Sequence, residues 1–371
     1  MSGLVERSSV GRLTVDLGAI RANYSVIARR VAPAVTSAVV KADAYGLGAE
    51  RVSAALAREG CRDFFVAHLR EAEPLVGALP SDARVFVLNG LAPGDEARCA
   101  ALGAIPVLNS LQQARSWAAL AVGQGAALPA VIQIDSGMAR MGLSDADVET
   151  LARDAEVLAR LDLRLVMSHL ASGDEPDSPL NAQQLARFLA LCSQLPPAPR
   201  SLANSGGAFL GPDFDLELVR PGVALYGASP HVGGQGLNAA VRLDARVVQV
   251  REIPAGTGVG YSHAYTSADA MRLATIGIGY ADGWPRRLSG RDVAAWFDGV
   301  RLPMLGRVSM DSIIVDIGAL PDGALRAGDE VELIGPHQSL DAVAAQADTV
   351  AHDILTGLGQ RLDRIYLEDQ A

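Results

Sequence analysis

The sequence predicts an α/β protein with an N-terminal (β/α)8 barrel of the TIM type and a C-terminal, mostly antiparallel β domain. From about residue 12 to 235, short apolar runs alternate with helical patterns, as in repeated βα units. After residue 236 the runs become β-rich and are interrupted by Gly and Pro. The 371 residues also exceed what one hydrophobic core usually serves. We therefore assign residues 12–235 to the barrel and residues 236–371 to the β domain, with which residues 1–11 could pack.

The barrel prediction depends on eight strand candidates and the helices between them. Asp16 is placed to cap the first helix, Ser144 a later one, and Gly60 follows the end of a third. Eight βα units favour a closed barrel. The strand candidates are "AVTSAVV", "DFFVA", "RVFVL", "AIPVL", "PAVIQI", "LRLVMS", "RSLA" and "LELV".

The C-terminal domain has β runs such as "VRLDARVVQVREI", "RLATIGIGY", "DVAAWFDGVRLPML", "SIIVDIG" and "GDEVELIG". The Asp-Gly pair at residues 298 and 299 suits a two-residue hairpin turn. A helical pattern, "LDAVAAQADTVAHDILTGLGQRL", lies near the C-terminus.

Composition and charge exclude several classes of function. The net charge is −10, the sequence pI is near 5.1, and no dense cluster of Lys and Arg is present, so we expect no nucleic-acid partner. The three cysteines, Cys61, Cys99 and Cys192, are scattered without CxxC spacing, which indicates neither a disulfide framework nor a zinc site. No apolar run suits a signal peptide or a membrane span. The expectation is a soluble protein of the reducing cytoplasm.

Polar residues follow the predicted barrel strands, at the end where this fold carries its sites. Each residue alone could be a solvated strand end, but together they predict a site. No HxH pair or paired carboxylates accompany His68, Asp135 and His169, so we expect no metal. The strand-end residues are Lys41, His68, Asn89, Asn109, Asp135, His169, Asn204, Ser205 and Arg220.

Lys41, in "VVKADAYGLG", directly follows an apolar run. A lysine at the end of the first strand can form a Schiff base with a carbonyl compound or with pyridoxal phosphate. The alternative is a strand-end lysine whose stem packs while its ammonium stays in water. Donors for a phosphate are at hand in the amides of Gly222 and Val223 and the hydroxyls of Ser205 and Tyr45.

Eight motifs carry a resemblance to a known family. In chain order they are "VVKADAYGLG", "IDSGMARMG", "MSHLA", "ANSGG", "RPGVALYG", "GVGYSHAY", "IGYADGWPR" and "GRVSMD". Together they span nearly the whole chain, and the chain resembles the alanine racemases, fold-type III enzymes that use pyridoxal 5'-phosphate. The resemblance implies an isomerase that interconverts L-alanine and D-alanine, supplies D-alanine for peptidoglycan of the cell wall, and works as a homodimer with composite active sites.

By this resemblance, Lys41 carries the cofactor. Its phosphate would be held by Tyr45, Ser205 and the amides of Gly222 and Val223.

The resemblance also implies roles around the cofactor ring. Arg220 would donate to the pyridine nitrogen, and because arginine stays charged, that nitrogen would remain unprotonated and the ring a weaker electron sink. Transamination is then disfavoured. His169 would stand beside the ring and bond to Arg220, and Asn204 would help to position them. Arg140 would reach the phenolic oxygen of the cofactor and the substrate carboxylate.

Racemisation needs one base on each face of the α-carbon. The resemblance assigns Lys41 to the α-proton of D-alanine and Tyr261, from the partner subunit, to that of L-alanine. A tyrosine ordinarily keeps its proton at neutral pH, so the positive charges of Arg220 and His169 would have to activate it. The alternative for Tyr261 is simple packing in an interface.

Four further residues match positions that control access in the family and narrow the pocket to a methyl group. They are Tyr265, Tyr280, Met310 and Asp311.

The chain departs from the family pattern at four positions. Gln133 stands where many members have a lysine that becomes carbamylated, so we predict no modified lysine there. Leu47 replaces a frequent histidine and Ser309 a frequent cysteine. Gln360 stands at about the place of a tyrosine that contacts the phosphate, so fewer hydroxyls would bind it.

Three alternative functions stay open at this point. A broader amino-acid racemase would differ in the pocket around Tyr265, Tyr280 and Met310. A basic amino-acid decarboxylase should have a carboxylate against the pyridine nitrogen, where this chain has Arg220. A non-catalytic carrier of pyridoxal phosphate would usually lack the β domain.

Overall fold

The computed structural model describes residues 11–231 and 236–368, and the chain divides into two compact units. One unit is Ile20–Asn238 and the other combines Met1–Ala19 with Ala239–Ala371. Gly11–Asp16 is a strand in the sheet of the latter unit. In this division the unit with the parallel strands starts at Ile20. Apart from Gly11, the N-terminal residues that could pack with the β domain lie outside the described residues.

The unit Ile20–Asn238 is a barrel of parallel strands. Leu218–Val219 pairs in parallel with Val35–Thr36, next to the first of seven consecutively paired strands. The Arg220 amide donates to the carbonyl of Ala203, 2.9 Å away, beside the last of the seven, which closes the ring. The predicted barrel is confirmed. The seven strands are Ala38–Val39, Asp63–Val66, Arg84–Val87, Ile105–Leu108, Leu128–Gln133, Leu161–Met167 and Arg200–Ser201.

Helices follow most of these strands, and three of them have the terminal residues that the sequence predicts. The Ser144 hydroxyl accepts from the Asp147 amide at 3.2 Å, and Gly60 has a φ of 98°, the left-handed conformation that ends many helices. Asp16 accepts from the Ala19 amide at 2.9 Å. The helices are Leu17–Val31, Ala49–Arg58, Leu69–Val76, Glu96–Leu102, Leu111–Gln124, Asp145–Arg153, Ala155–Leu158, Pro179–Cys192 and Pro212–Asp215.

The second unit is built around a closed antiparallel barrel. Met271–Ile276 pairs with both Ile313–Asp316 and Val241–Ile253, which closes six of the strands into a ring. Gly11–Asp16 lies antiparallel to Val241–Ile253, and Asp363–Leu367 lies parallel to Gly11–Asp16. The predicted β domain is confirmed. The other ring strands are Ala294–Phe297, Val300–Leu305 and Glu330–Ile334.

Two local features of this unit test the sequence patterns. Asp298 and Gly299 have φ values of 47° and 78° between the paired residues Phe297 and Val300, so they form the predicted two-residue hairpin turn. The helical pattern near the C-terminus instead forms two helices, Leu340–Gln346 and Ala351–Gly357. The break lies at Asp348, whose φ of 51° ends a right-handed helix.

No helix within residues 11–231 and 236–368 is long and apolar enough to cross a membrane.

Candidate active site

Lys41 lies directly after the first barrel strand and is the only lysine among the 371 residues. Burial and the nearby charge of Arg140 lower the pKa of its ammonium, while the carboxylate of Glu71 acts in the opposite direction. A lowered pKa increases the fraction of neutral amine, the form that attacks a carbonyl carbon. The chain therefore has one side chain able to form a Schiff base, and that side chain is half-buried at the end of a barrel strand.

The backbone after Lys41 makes a left-handed turn. Residues 42–45 have φ values between 52° and 59°, and none of them is glycine. The left-handed helical conformation costs roughly 1–2 kcal/mol for each such residue. Strain of this kind persists where surrounding contacts enforce it, most often at functional sites. The turn returns Tyr45 to the interior, where its ring centroid lies 4.9 Å from that of Tyr226.

Tyr45, Gly222 and Ser205 form a compact group at the end of the last strand. A Cβ added to Gly222 would lie 2.4 Å from the Tyr45 hydroxyl oxygen, so the close approach requires glycine. The Ser205 hydroxyl accepts from the amides of Gly222 at 2.8 Å and Ala224 at 3.3 Å, and Val223 begins the short 3-10 helix Val223–Tyr226.

This group fits a phosphate. The Ser205 oxygen already accepts hydrogen bonds, so its own proton can be donated to an anion. Burial raises the pKa of the Tyr45 phenol, which keeps Tyr45 protonated and able to donate as well. Hydroxyl and amide donors that converge in this way are what phosphate sites require.

Arg220 is a buried guanidinium that no carboxylate pairs in the described part of the chain. It donates to the Ser201 hydroxyl and to the carbonyls of Ser168 and Leu202. Burial lowers its pKa to about 9, so it stays charged at neutral pH. The expected hydrogen bond between His169 and Arg220 is not among these contacts, because the donors of Arg220 are directed to serine and backbone oxygens.

His169 is held by Asn204 and is uncharged. The Asn204 amide nitrogen lies 3.5 Å from His169 Nε2, and Asn204 Oδ1 accepts from the Gly207 amide at 2.9 Å. Burial and the positive charges of Arg220, Arg140 and Lys41 lower the pKa of His169 well below its ordinary value. We correct the expectation of positive charge at His169: the imidazole is neutral at pH 7, and Arg220 is the cation at this place.

Arg140 lies exposed on a loop that the backbone fixes tightly. A Cβ on Gly142 would meet the Asp135 amide nitrogen at 2.7 Å, and the buried Gln133 donates to the Met141 carbonyl at 3.4 Å. This loop cannot contain a carbamylated lysine, because Lys41 is the only lysine of the chain. The loop also depends on Asp135, which accepts from three consecutive amides, those of Gly137, Met138 and Ala139.

Gln184 was missed by the sequence analysis. It is buried on the helix Pro179–Cys192, where its side-chain nitrogen donates to the His169 carbonyl at 3.0 Å and the Ser136 hydroxyl at 3.3 Å. Its oxygen accepts from the Ala171 amide at 2.8 Å. Gln184 thus ties the Arg140 loop to the His169 segment. Nothing in the spacing of the helix distinguishes it from a surface glutamine.

The remaining strand-end residues satisfy one another and the backbone. The Asn89 side-chain nitrogen lies 3.4 Å from His68 Nε2, and the Asn109 amide donates to the Leu88 carbonyl at 2.9 Å. Within the described residues, no group of three or more His, Cys, Asp or Glu side chains could hold a metal ion.

The candidate residues of the other unit form two groups. Tyr261 begins the 3-10 helix Tyr261–His263 and is 64% exposed. Tyr265 pairs with Val259 in a two-stranded ladder and packs against the core around Ile253.

In the second group, backbone hydrogen bonds join the Tyr280 segment to the Met310 segment. The Tyr280 amide donates to the Ser309 carbonyl at 3.0 Å, and the Ala281 amide donates to the Met310 carbonyl at 2.9 Å. Arg361 pairs with Asp311 at 2.7 Å and with the buried Asp282 at 2.8 Å. Tyr280, Met310 and Asp311 are therefore brought together.

Comparison with known proteins gives one consistent result. Residues 15–230 match the family described as "Alanine racemase, N-terminal domain", and residues 240–366 match "Alanine racemase, C-terminal domain". An alanine racemase of Brucella abortus is 51% identical over 371 residues, covering 96% of this chain and 93% of the relative. A protein of Agrobacterium fabrum described as "Alanine racemase, catabolic" is 52% identical over 359 residues, covering 96% and 92%.

A solved structure shares the fold. The alanine racemase of Bartonella henselae with covalently bound pyridoxal phosphate superposes with a TM-score of 0.93 at 45% identity, covering 97% of this chain and all of that one.

Proposed function

The chain belongs to the alanine racemase family, and we propose that it interconverts L-alanine and D-alanine by a two-base mechanism with pyridoxal 5'-phosphate as cofactor. One observation carries the proposal: the only lysine of the chain lies at the end of the first barrel strand, and the turn that follows it leads to Tyr45 in the phosphate-binding group. Members of this family are isomerases, and the chain is an enzyme of that class.

Lys41 would hold the cofactor covalently, and the Bartonella henselae structure contains covalently bound pyridoxal phosphate. Tyr45, Ser205 and the amide of Val223 would bind the phosphate, and the Gly222 amide, which donates to the Ser205 hydroxyl in this structure, would turn to the phosphate when it is bound. When bound, pyridoxal phosphate withdraws electrons from an attached amino acid and so acidifies its α-hydrogen. Arg220 is the buried cation suited to face the ring nitrogen, with neutral His169 and Asn204 beside it.

The two bases would work on opposite faces of the substrate. The lowered pKa of Lys41 favours its neutral amine, which can accept the α-proton of D-alanine. Tyr261 would accept the α-proton of L-alanine while Lys41 donates a proton to the opposite face, and in the reverse direction Lys41 would accept the α-proton of D-alanine while Tyr261 donates. Arg140 would bind the substrate carboxylate and keep the α-hydrogen directed at one base or the other.

We propose that the enzyme is a homodimer with composite sites, and that Tyr261 serves the partner's Lys41. The exposure of Tyr261, and of Tyr280 and Met310 on two hydrogen-bonded segments, supports this, because a partner subunit would cover large side chains that a single chain leaves exposed. The pocket would then admit only a methyl side chain, because its entry is narrowed by Tyr265, Tyr280, Met310 and Asp311.

We place the reaction in the cytoplasm and assign its product, D-alanine, to peptidoglycan. The three cysteines, Cys61, Cys99 and Cys192, are all free, which supports a reducing compartment. A catabolic role is the second candidate, because the Agrobacterium fabrum relative carries that description.

The test combines two variants with α-proton exchange in deuterated water. Lys41→Ala should lose racemisation, and borohydride should no longer fix the cofactor to the chain. Tyr261→Phe should slow exchange at L-alanine at least about 100-fold, the size of a lost general base, and slow exchange at D-alanine far less.

The peptide that contains Lys41 provides the control, since in the wild type it should carry the reduced cofactor. Racemisation by Lys41→Ala at the wild-type rate would exclude the proposed function. Equal slowing for both enantiomers in Tyr261→Phe would exclude the two-base assignment alone.

A further inference from the structure

The left-handed turn after Lys41 needs contacts that hold it. Two come from the same segment: the Ala44 amide donates to the Val40 carbonyl at 2.9 Å, and Asp43 Oδ1 accepts from the Ala49 amide at 2.7 Å. A third comes from another element, because Glu71 Oε1 accepts from the Ala42 amide at 3.2 Å. Glu71 lies in the helix that follows the second barrel strand, so this contact ties the residue after Lys41 to a neighbouring βα unit.

The other oxygen of Glu71 holds the end of the second strand. Glu71 Oε2 accepts from the amides of Ala67 at 2.7 Å and His68 at 3.3 Å. One carboxylate therefore accepts hydrogen bonds from two separate segments, and both segments lie at the end of the barrel strands. Because both oxygens are engaged, the position of the carboxylate beside the turn is fixed.

Helix capping does not account for the contact with Ala42. Glu71 is the third residue of the helix Leu69–Val76 and closes a capping box there. Asp147 has the same place in the helix Asp145–Arg153, where it binds the Ser144 amide at 3.1 Å and the Ser144 hydroxyl at 2.8 Å. These bonds of Asp147 stay at the start of its own helix, whereas Glu71 also reaches the turn after Lys41.

We propose that Glu71 is a positioning residue for Lys41, whose carboxylate holds the left-handed turn and places a fixed negative charge near the lysine ammonium. The inference rests on the proposed role of Lys41 as the base and cofactor-bearing group. Glu71 touches neither substrate nor cofactor in this role and acts through the turn and through its charge.

The electrostatics around Lys41 agree with this geometry. Burial and Arg140 lower the pKa of Lys41, Glu71 raises it, and the third neighbour, His169, is neutral. Without Glu71, only burial and the positive charge of Arg140 would act on the pKa of Lys41, and both lower it. The charge of Glu71 stabilises the ammonium form of Lys41. Lys41 can therefore hold the proton that it takes from D-alanine until it donates a proton in the reverse reaction.

The experiment measures the protonation of Lys41 in the full-length chain after hydroxylamine has removed the cofactor. A brief acetic anhydride pulse labels neutral amines, and mass spectrometry of the Lys41 peptide gives the labelled fraction at each pH. No other lysine competes, because Lys41 is the only one. Glu71→Gln keeps an oxygen that can accept from Ala42 but removes the charge. It should move the labelling midpoint downward by at least about half a pH unit.

Two further variants separate charge from folding. Asp147→Asn removes a matched carboxylate from a capping box and should leave the labelling midpoint of Lys41 unchanged. Glu71→Asp keeps the charge and should hold the midpoint close to that of the wild type. An unchanged midpoint in Glu71→Gln, or an equal shift in Asp147→Asn, would overturn the inference.

The failure of the proposed function would look different. Borohydride reduction of the loaded wild-type enzyme would then leave the Lys41 peptide unmodified, whatever the labelling midpoints are.

Discussion

The contact between Gly222 and Tyr45 shows how one residue shapes the candidate phosphate site. The Tyr45 hydroxyl occupies the volume that any side chain at position 222 would need. The Gly222 amide also donates to Ser205, so the same residue anchors both hydroxyls of the group. Because Tyr45 is fixed by the turn after Lys41, it cannot move away without disturbing that turn.

Gly222→Ala is expected to weaken cofactor binding. Overpacking of this kind costs about 1–3 kcal/mol, which corresponds to roughly 5- to 150-fold weaker binding. Titration of the cofactor-free chain with pyridoxal phosphate, followed by absorbance, measures the change.

The matched control is Gly123→Ala in the helix Leu111–Gln124, where a new Cβ meets no atom within 4 Å. It should bind the cofactor as the wild type does. Equal affinity of Gly222→Ala and the wild type would show that the phosphate does not depend on this close approach.

At the scale of elements, the turn at residues 42–45 is the least ordinary part of the barrel unit. Its sequence, Ala-Asp-Ala-Tyr, contains good helix formers and no glycine, so local preference favours a right-handed helix. The structure has the opposite hand because contacts from Glu71, Asp43 and the buried Tyr45 hold it. A strained element of this kind is stabilised by its surroundings and not by its own sequence.

Ala42→Gly should therefore stabilise the protein, in contrast to the usual effect of glycine. Ala42 is exposed and left-handed, with a φ of 53°. Relief of the left-handed strain outweighs the added entropy of the unfolded chain, for a net gain of about 0.5–1 kcal/mol in the free energy of unfolding. Urea unfolding gives this value.

Ala119→Gly is the control for that measurement. Ala119 is exposed in the right-handed helix Leu111–Gln124, so glycine there should cost about 1 kcal/mol. Destabilisation of the same size by Ala42→Gly would mean that the turn is not left-handed in solution.

At the scale of the whole molecule, the proposed bases belong to different units. Lys41 lies in Ile20–Asn238, and Tyr261 lies in the unit that contains Ala239–Ala371. A composite site in a symmetric dimer would combine each Lys41 with the Tyr261 of the partner subunit.

Mixing two inactive variants tests this arrangement. When Lys41→Ala and Tyr261→Phe chains are unfolded, mixed in equal amounts and refolded, about half of the dimers should be mixed, each with one intact site of two. The expected activity is about a quarter of the wild-type activity. Mixtures that stay inactive would mean that both bases of a site come from one chain.

The sequence by itself determined the order of the strands and the polar residues at their ends. Alternation of apolar runs with helical patterns reports local burial, and it led to the barrel, the β domain and the place of Lys41. Glycine and Asp-Gly signals gave the hairpin at residues 298 and 299 because that turn depends on neighbours in the chain.

Only the tertiary structure decided how those residues meet. Arg220 donates to the Ser168 carbonyl, 52 positions away, and Gln184 donates to the Ser136 hydroxyl across 48 positions. The Glu71 carboxylate accepts from the Ala42 amide in the Lys41 turn across 29 positions. It also set the neutral state of His169, which depends on burial and on cations from other strands. Local sequence patterns do not identify such partners. The spacing of apolar residues predicts which face of a helix or strand is buried, but not which residues pack against that face.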